Sequence, residues 1–260
     1  FAPKAEYQIK STGSKETQFD MVKKLELTFH EHEKLFNYCL KKKINYLATP
    51  FDSKSLNFLL DLNLKIIKVP SGEITNELFL DELSKSNRKL ILSTGMSSLT
   101  EISRAVKLLT SRKLTKKDIC LLHCNTEYPS PYEDINLRAM ITMKKLFKMD
   151  VGYSDHSKGV LVPVMATTLG AKYLEKHFTL SKSMRGPDHK ASLSPSELKQ
   201  LVANNKLIIK IMGSSKKQVS ISEKKNLNIA RKSLVAGSDI HKGEVFTFEN
   251  IKIKRPGTGL

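Results

Sequence analysis

Two histidines, each at the end of a short apolar segment, are the residues in this chain best suited to chemistry. His156 follows VGYSD and His177 follows YLEK, with Ser154 just before the first and Asp188 after the second. Neutral imidazole is a common ligand for Mn, Fe, Co or Zn, and a nearby hydroxyl is suited to an anion. The pattern predicts a metal site with an anion site beside it.

Both segments have the pattern of β-strands, in which successive side chains point to opposite faces. The shared faces are Gly152, Ser154 and His156 in the first strand, and Tyr173, Glu175, His177 and Thr179 in the second. If both faces point into one pocket, the two imidazoles meet at one ion. The alternative is that these are two unrelated polar strand ends.

Six strand-like segments alternate with amphipathic segments along most of the chain. The predicted strands are 44–51, 65–71, 89–95, 119–125, 150–157 and 172–179, and the predicted helices are 53–62, 75–86, 99–112, 135–147, 159–170 and 194–213. This alternation, with apolar strands, predicts a parallel sheet covered by helices. The last helix opens with a capping signal of Ser194, Pro195 and Glu197.

An open doubly wound sheet and a (β/α)8 barrel both satisfy this alternation. No G-x-G-x-x-G motif follows a strand, which disfavours the nucleotide-binding version of the open sheet. A barrel of about 250 residues spends roughly 31 residues on each βα unit, so six units need about 190 residues, close to the span 44–213. We therefore predict an α/β fold, a (β/α)8 TIM barrel whose first two strands are missing from this chain.

Polar residues follow each predicted strand. They are Thr49 and Pro50, Ser71 to Glu73, Ser93 to Gly95, Thr126 and Tyr128, Ser154 and His156, and finally His177 and Asp188. In a barrel these positions all emerge at the C-terminal face, where the active sites of this fold lie. Each group alone is also an ordinary turn or strand stop, but their recurrence predicts a functional site.

Charge and cysteine content narrow the class of protein. The net charge of +18 would permit nucleic acid, membrane or anionic partners. The lysines are scattered and no nucleic-acid-binding motif is present, so we expect a solvated basic surface and no nucleic-acid partner. The apolar runs fall short of the roughly 20 residues of a membrane helix, so we expect no membrane span. Three cysteines make no disulfide framework, which favours a reduced, cytoplasmic setting.

The character of the chain changes after residue 213. Residues 1–213 form the predicted partial barrel, residues 214–226 are polar and form a predicted linker, and residues 227–260 have the pattern of short strands and turns in a small module. About forty residues are few for a secure core. Because the chain starts at Phe1 and stops within this module, we expect a fragment.

Several long motifs resemble the bacterial N-acetylneuraminate (sialic acid) synthases. They are KVPSGEITN, LLHCNTEYPSPYEDINL, VGYSDHS, EKHFT and GPDHKAS, with APKAEYQIKSTG near the start and ARKSLVA, IHKGEVF and IKIKRPGTG near the end. The resemblance implies a TIM barrel followed by the start of a small antifreeze-like (SAF) domain, in a domain-swapped homodimer. It also implies condensation of phosphoenolpyruvate with N-acetylmannosamine, using a divalent metal, Mn²⁺ first, with Co²⁺ or Mg²⁺ as alternatives.

The resemblance also implies roles for particular residues. His156 and His177 match the metal ligands. The positions that bind phosphoenolpyruvate match Thr49, Lys68, Ser71, Thr126 and Ser154, and the positions that bind sugar match Tyr128 and Asp188. Glu73 matches an acidic residue near the reacting centre, where we expect it to act on the water that adds during the reaction.

The chain departs from the family pattern at three points. Thr126 stands where some members have asparagine, although Asn125 lies beside it. The family's first strands, and an arginine that the SAF domain of a partner subunit contributes, have no counterpart in residues 1–260. We therefore expect this chain alone to form an incomplete site.

Two alternatives to a sialic acid synthase stay open. The same chemistry on a diacetamido hexose would make legionaminic acid, since one or two residues that contact the sugar could decide between the substrates. Pseudaminic acid is disfavoured by the PSGEITN and NTEYP segments. A non-catalytic truncated relative would suit the missing strands, but the presence of His156, His177, Glu73 and Asp188 favours an enzyme.

Overall fold

The structure is a computed structural model and describes residues 3–13 and 15–255. The chain divides into two compact units, Phe1–Met212 and Gly213–Leu260. The predicted linker and small module both fall in the second unit, and their assignment as a linker and a SAF domain stays a prediction. Within the described residues, no helix is both long enough and apolar enough to cross a membrane.

The described part of the first unit begins with helices and continues as alternating strands and helices. Its helices are α1 (Glu6–Thr12), α2 (Gln18–Leu25), α3 (Phe29–Lys41), α4 (Ser53–Asp61), α5 (Glu77–Lys85), α6 (Leu99–Leu109), α7 (Arg138–Phe147), α8 (Leu161–Thr168) and α9 (Pro195–Met212). Its strands are β1 (Ile66–Val69), β2 (Lys89–Ser93), β3 (Ile119–Cys124), β4 (Asp150–Asp155) and β5 (Leu174–Lys176). The six predicted helices correspond to α4 through α9.

Among the described residues, these five strands form one sheet in the order β1-β2-β3-β4-β5, and every neighbouring pair is parallel. Each strand pairs with the next strand along the chain. This is the order of a βα barrel, and it lacks the reversal that marks a doubly wound sheet. The predicted α/β class and parallel sheet are confirmed, whereas closure into eight strands stays a prediction.

The predicted strand at 44–51 is wrong. Residues 44–50 pair with no strand among the described residues. Residues 45–48 do alternate in burial, because Tyr46 and Ala48 pack against the core while Asn45 and Leu47 are exposed. Alternating burial alone does not make a strand, which also needs a neighbour in register for its backbone hydrogen bonds.

The two faces of the sheet differ because side chains alternate along each strand. The main core lies on the face towards the helices and includes Ile67, Val69, Leu90, Leu92, Leu121, Val151 and Tyr153. The other face carries a smaller cluster of Ile91, Cys120 and Leu122. Towards the strand ends this second face continues with Lys68, Ser93, Cys124, Ser154 and Glu175. It therefore becomes polar where the parallel strands end.

Helix α9 begins as its capping signal predicts. The backbone N–H of Ser194 donates to Glu197 Oε2 at 2.7 Å, and the Glu197 N–H donates to Ser194 Oγ at 3.4 Å. A hydrogen bond from Lys182 and the one from Ser194 lower the pKa of Glu197 to about 2. The carboxylate therefore stays charged near the positive end of the helix, where it is stabilising.

The second unit contains two short helices and an antiparallel strand pair. These are α10 (Ile221–Lys224), α11 (Leu227–Ala230), β6 (Ser233–Ala236) and β7 (Ile251–Lys254), with Leu234 opposite Ile253. The end of the IKIKRPGTG motif, residues 256–259, lies outside the described residues, and so does residue 260. The first residue of the APKAEYQIKSTG motif, residue 2 of the chain, also lies outside them.

Gly152 in β4 leaves no room for a side chain. A Cβ at this position would lie 2.5 Å from Leu122 Cδ2 and 2.5 Å from the carbonyl oxygen of Tyr173. Gly152→Ala is expected to lower the free energy of unfolding by about 2–3 kcal/mol, as overpacked cores do, because the Tyr173 backbone cannot move without weakening the pairing of β4 with β5. Urea denaturation measures this change.

Gly72→Ala is the matched control for this experiment, because a Cβ at Gly72 would meet nothing within 4 Å. It is expected to change stability by less than about 0.5 kcal/mol, as surface substitutions usually do. Equal stabilities of the two variants would contradict the close approach of Gly152 in β4 to the Tyr173 backbone.

Candidate active site

A cavity of about 370 Å³ opens at the C-terminal ends of the strands in the first unit. The predicted site residues that line it are Thr49, Lys68, Ser71, Thr126, Tyr128, Ser154, His156 and His177. Glu175 and Cys124 also line it. These side chains come from several strands and from the loops that follow them, and parallel pairing brings them to one edge of the sheet.

The end of β1 contributes an ammonium group and a hydroxyl group to the cavity. Lys68 is only 5% exposed, and its Nζ lies 3.4 Å from the Glu175 carboxylate. The Oγ of Ser71 accepts a hydrogen bond from the Gly95 N–H at 2.9 Å and lies 3.3 Å from Cys124 Sγ. A buried ammonium beside a fixed hydroxyl is suited to a phosphate or carboxylate group.

The two predicted metal ligands lie beside each other. The ring centroids of His156 and His177 are 5.4 Å apart, with the rings perpendicular. The Asn125 carbonyl can only accept, so His156 Nδ1 carries a proton and donates it there. Ser154 Oγ donates its hydrogen bond to Glu175, which leaves the Nε2 lone pair of His156 free, 3.4 Å from Ser154 Oγ. Burial lowers the pKa of His156, so the ring is neutral.

This arrangement fits a divalent metal held by two imidazoles. A neutral ring whose other nitrogen donates to a backbone carbonyl is the usual state of a ligating histidine. Within the described ranges, no group of three or more His, Cys, Asp or Glu side chains is placed to hold a metal ion. Two imidazoles alone would leave positions open for water or substrate oxygens, as catalytic metal sites do.

Tyr128 packs flat against His156. Their ring centroids are 4.0 Å apart, and the Tyr128 ring is also 5.3 Å from His177 and 4.9 Å from Tyr7 of α1. Burial raises the pKa of Tyr128, so its phenol stays protonated and can donate a hydrogen bond. The contact holds the His156 ring in place and presents a donor at the rim of the cavity.

Glu175 was not among the predicted site residues, yet it joins two strands within the cavity. Its carboxylate accepts a hydrogen bond from Ser154 Oγ at 2.7 Å and faces Lys68 Nζ at 3.4 Å. It thereby connects the hydroxyl of β4 to the ammonium of β1. The sequence signal was already present, because alternation places Glu175 on the same face as His177.

Glu73 and Asp188 lie outside the lining of the cavity. The Glu73 carboxylate accepts a hydrogen bond from Asn76 Nδ2 at 2.6 Å. Asp188 Oδ2 lies 3.6 Å from His177 Nδ1, and its Oδ1 is buried with no hydrogen-bond partner among the described residues. Asp188 is therefore placed to orient His177. The roles expected for Glu73 and Asp188 from the resemblance stay predictions.

Comparison with known proteins identifies the family to which this arrangement belongs. Residues 1–217 match the NeuB family. The chain belongs to the NeuB family. It is 51% identical over 259 residues to N,N'-diacetyllegionaminic acid synthase of Campylobacter jejuni, in an alignment that covers 100% of this chain and 78% of that protein. It is 40% identical over 260 residues to the synthase of the same name from Legionella pneumophila, covering 99% and 73%.

A solved structure of the same type supports the assignment of the NeuB-family fold. The N-acetylneuraminic acid (sialic acid) synthetase of Leptospira borgpetersenii, in complex with citrate, matches with a TM-score of 0.76 and 36% identity, covering 80% of this chain and 72% of that one. The predicted resemblance to the sialic acid synthases is thus confirmed for the family. This NeuB-family chain is a synthase of the sialic acid type with a parallel, half-barrel sheet.

Gly95 packs closely against Ser71 and Thr126, two of the residues predicted to bind an anion. A Cβ at this position would lie 2.7 Å from Thr126 Cγ2, 2.9 Å from Ser71 Oγ and 3.0 Å from Cys124 Sγ. Gly95→Ala is expected to lower kcat/KM for phosphoenolpyruvate by about 10- to 100-fold, because small displacements of positioning groups are costly. Steady-state phosphate release measures the effect, with circular dichroism to confirm folding.

The double variant Gly95→Ala/Thr126→Ser is the matched control. Thr126→Ser removes only the methyl group nearest to the added Cβ, so part of the lost kcat/KM should return. No recovery, together with an unchanged KM in the single variant, would mean that Gly95 does not position the anion-binding hydroxyls.

Proposed function

We propose that this NeuB-family chain is an N,N'-diacetyllegionaminic acid synthase, which condenses phosphoenolpyruvate with a 2,4-diacetamido hexose and water and releases phosphate. The observation that carries the proposal is the 51% identity, over the whole chain, to the C. jejuni enzyme, against 36% to the sialic acid synthetase. The motifs alone favoured N-acetylmannosamine as the sugar. The comparisons support the diacetamido alternative better.

The reaction requires one carbon–carbon bond and one addition of water. The C3 carbon of phosphoenolpyruvate attacks the sugar aldehyde, whose oxygen takes up a proton. Water adds to the cationic C2 centre that results and loses one proton, which balances the proton taken up by the aldehyde oxygen. The C2–O bond then breaks, phosphate leaves with its bridging oxygen and the second proton, and C2 becomes a ketone. The cavity must therefore hold two acidic groups of phosphoenolpyruvate, orient the aldehyde and admit one water.

Lys68 and the hydroxyls around it are suited to phosphoenolpyruvate. The buried ammonium of Lys68 supplies a charge, and Ser71, Thr126 and Thr49 supply hydroxyl groups in the same cavity. Ser154 keeps its proposed place among the phosphoenolpyruvate-binding residues, but its hydroxyl would have to turn from Glu175 to donate to the substrate. Charge-assisted hydrogen bonds to phosphate and carboxylate oxygens are stronger than neutral ones. Glu175 pairs with Lys68 and accepts the hydrogen bond of Ser154, and thereby holds both side chains at the wall of the cavity.

His156 and His177 are the proposed ligands of a divalent metal, with Mn²⁺ as the first candidate and Co²⁺ or Mg²⁺ as others. When bound, the metal would supply Lewis-acid polarisation of the aldehyde oxygen. The protein's own contribution is to keep His156 neutral through burial and to fix its tautomer through the Asn125 carbonyl. Tyr128 and Asp188 border the two imidazoles and are the proposed contacts to the sugar.

The water-handling role proposed for Glu73 requires a change of contact. Its carboxylate is held by Asn76 and would need to turn from there towards the cavity. We retain Glu73 as the proposed catalytic carboxylate on the resemblance, and treat Glu175 as a positioning residue. The SAF domain and the domain-swapped homodimer also remain proposals drawn from the family.

The choice of sugar is tested by phosphate release from phosphoenolpyruvate in the presence of Mn²⁺. With a 2,4-diacetamido-hexose acceptor, kcat/KM is expected to exceed that with N-acetylmannosamine by about 10-fold or more, since a site built for an extra polar group discriminates against analogues that lack it. A preference for N-acetylmannosamine would return the assignment to sialic acid synthesis. No phosphate release with either sugar would indicate a non-catalytic relative.

Metal binding by the imidazole pair is tested without relying on activity. His156→Asn and His177→Asn are each expected to raise the Kd for Mn²⁺ by more than about 100-fold, because loss of a ligand exceeds the 10- to 100-fold cost of losing an outer partner. Electron paramagnetic resonance of free Mn²⁺ measures the binding. His30→Asn is the control, since its side chain is 71% exposed, and equal affinities in all three variants would rule out this metal site.

A further inference from the structure

A second polar cavity lies at the opposite end of the sheet from the catalytic cavity. Its volume is about 480 Å³. Its lining consists of Lys116, Lys117, Lys144, Lys148, Met149, Asp150 and Lys172. We call it the lysine cavity. Five of its seven lining residues carry an ammonium group, and only one carries a carboxylate.

The topology of the sheet, rather than a basic run in the sequence, brings these lysines together. Lys116 and Lys117 lie in the 3₁₀ turn that leads into β3. Lys144 lies in the last turn of α7 and Lys148 is its C-terminal cap, just before β4. Lys172 precedes β5. Because parallel strands begin at the same edge, three separate connections converge on one hollow.

The lysine cavity holds an excess of uncompensated positive charge. Lys172 pairs with Asp150, and Lys116 donates to the Phe147 carbonyl oxygen at 3.2 Å. In the part of the chain that the structure describes, Lys117, Lys144 and Lys148 make no ion pair.

Lys148 lines this cavity and ends α7 in a left-handed backbone conformation. Its φ is +53°, in the left-handed region that non-glycine residues adopt infrequently. This conformation ends α7, with the Lys148 N–H bonded to the Lys144 carbonyl, so Lys144 and Lys148 flank the same helix end. A glycine would meet the backbone requirement at lower cost, and the chain has an ammonium group there instead.

We infer that the lysine cavity binds a compact polyanion with two or more linked phosphate groups. Ammonium groups are compact point charges that suit phosphate oxygens, and several of them around one hollow match a ligand with several charges. The lining includes no aromatic side chain for stacking a base, so recognition would rest on the linked phosphates. The volume is within the range of small-molecule sites.

This site is separate from the catalytic anion site. β4 begins at Asp150 in the lysine cavity and reaches Ser154 in the catalytic cavity. Four residues of strand span about 13 Å at 3.3 Å per residue, which exceeds the screening length of about 8 Å at physiological salt. The inference does not depend on the proposed sugar substrate, and a ligand in one cavity should not displace a ligand from the other.

Inorganic tripolyphosphate is the probe for this site, and isothermal titration calorimetry of the whole chain is the measurement. One saturable equivalent is expected to bind at about 0.15 M salt. Lys117→Gln/Lys144→Gln should raise the Kd by about 10-fold or more, because two charge-assisted contacts are lost. Both positions are exposed, and the urea midpoint checks that the variant folds.

Lys216→Gln/Lys217→Gln removes the same charge from the second unit and is the matched control, expected to bind as the unaltered chain does. Equal weakening in both double variants would reduce the effect to general charge attraction and overturn the proposal. So would the absence of saturable binding, or displacement of tripolyphosphate by phosphoenolpyruvate, which would move the bound anion to the catalytic cavity.

Discussion

The pairing of β4 with β5 is the constraint on which the candidate active-site cavity depends. Ser154 lies opposite Glu175 and Asp155 opposite Lys176 in the register of the two strands. One residue further along, the same register brings His156 beside His177, and the centroids of the two rings are 5.4 Å apart. A slip of one residue would turn one of the two strands over and separate every one of these pairs.

The middle pair, Asp155 and Lys176, stabilises the same register from the other face of the sheet. Asp155 and Lys176 form an ion pair at 2.6 Å, with side chains 0% and 5% exposed, and Lys176 also donates to the Ser157 carbonyl. A buried charge left without its partner costs about 3–5 kcal/mol. The close approach of Gly152 to Tyr173 adds a steric requirement. Charge on one face and close packing at the strand start therefore fix the same alignment that the site requires.

Periodicity made much of this fold and site predictable from the sequence. The helices α4 to α9, the parallel strands and the shared face of Ser154 and His156 all follow from repeats of 3.6 and 2 residues. The segment 44–51 failed because alternation reports burial and not pairing. The hydrogen bond from Asn76 to Glu73 depends on a short turn that no periodic pattern describes. The lysine cavity was hidden because its residues are adjacent only after the strands align, and scattered lysines are the ordinary composition of a solvated surface.

The contact of Tyr128 with His156 places an intrinsic fluorophore at the site. The chain contains seven tyrosines and no tryptophan, so tyrosine emission is not obscured by a stronger fluorophore. Tyr128 stacks on one imidazole at 4.0 Å and lies 5.3 Å from the other. Any ion or substrate that reaches the two rings arrives beside a native chromophore, and occupancy of the site can be followed in the unlabelled protein.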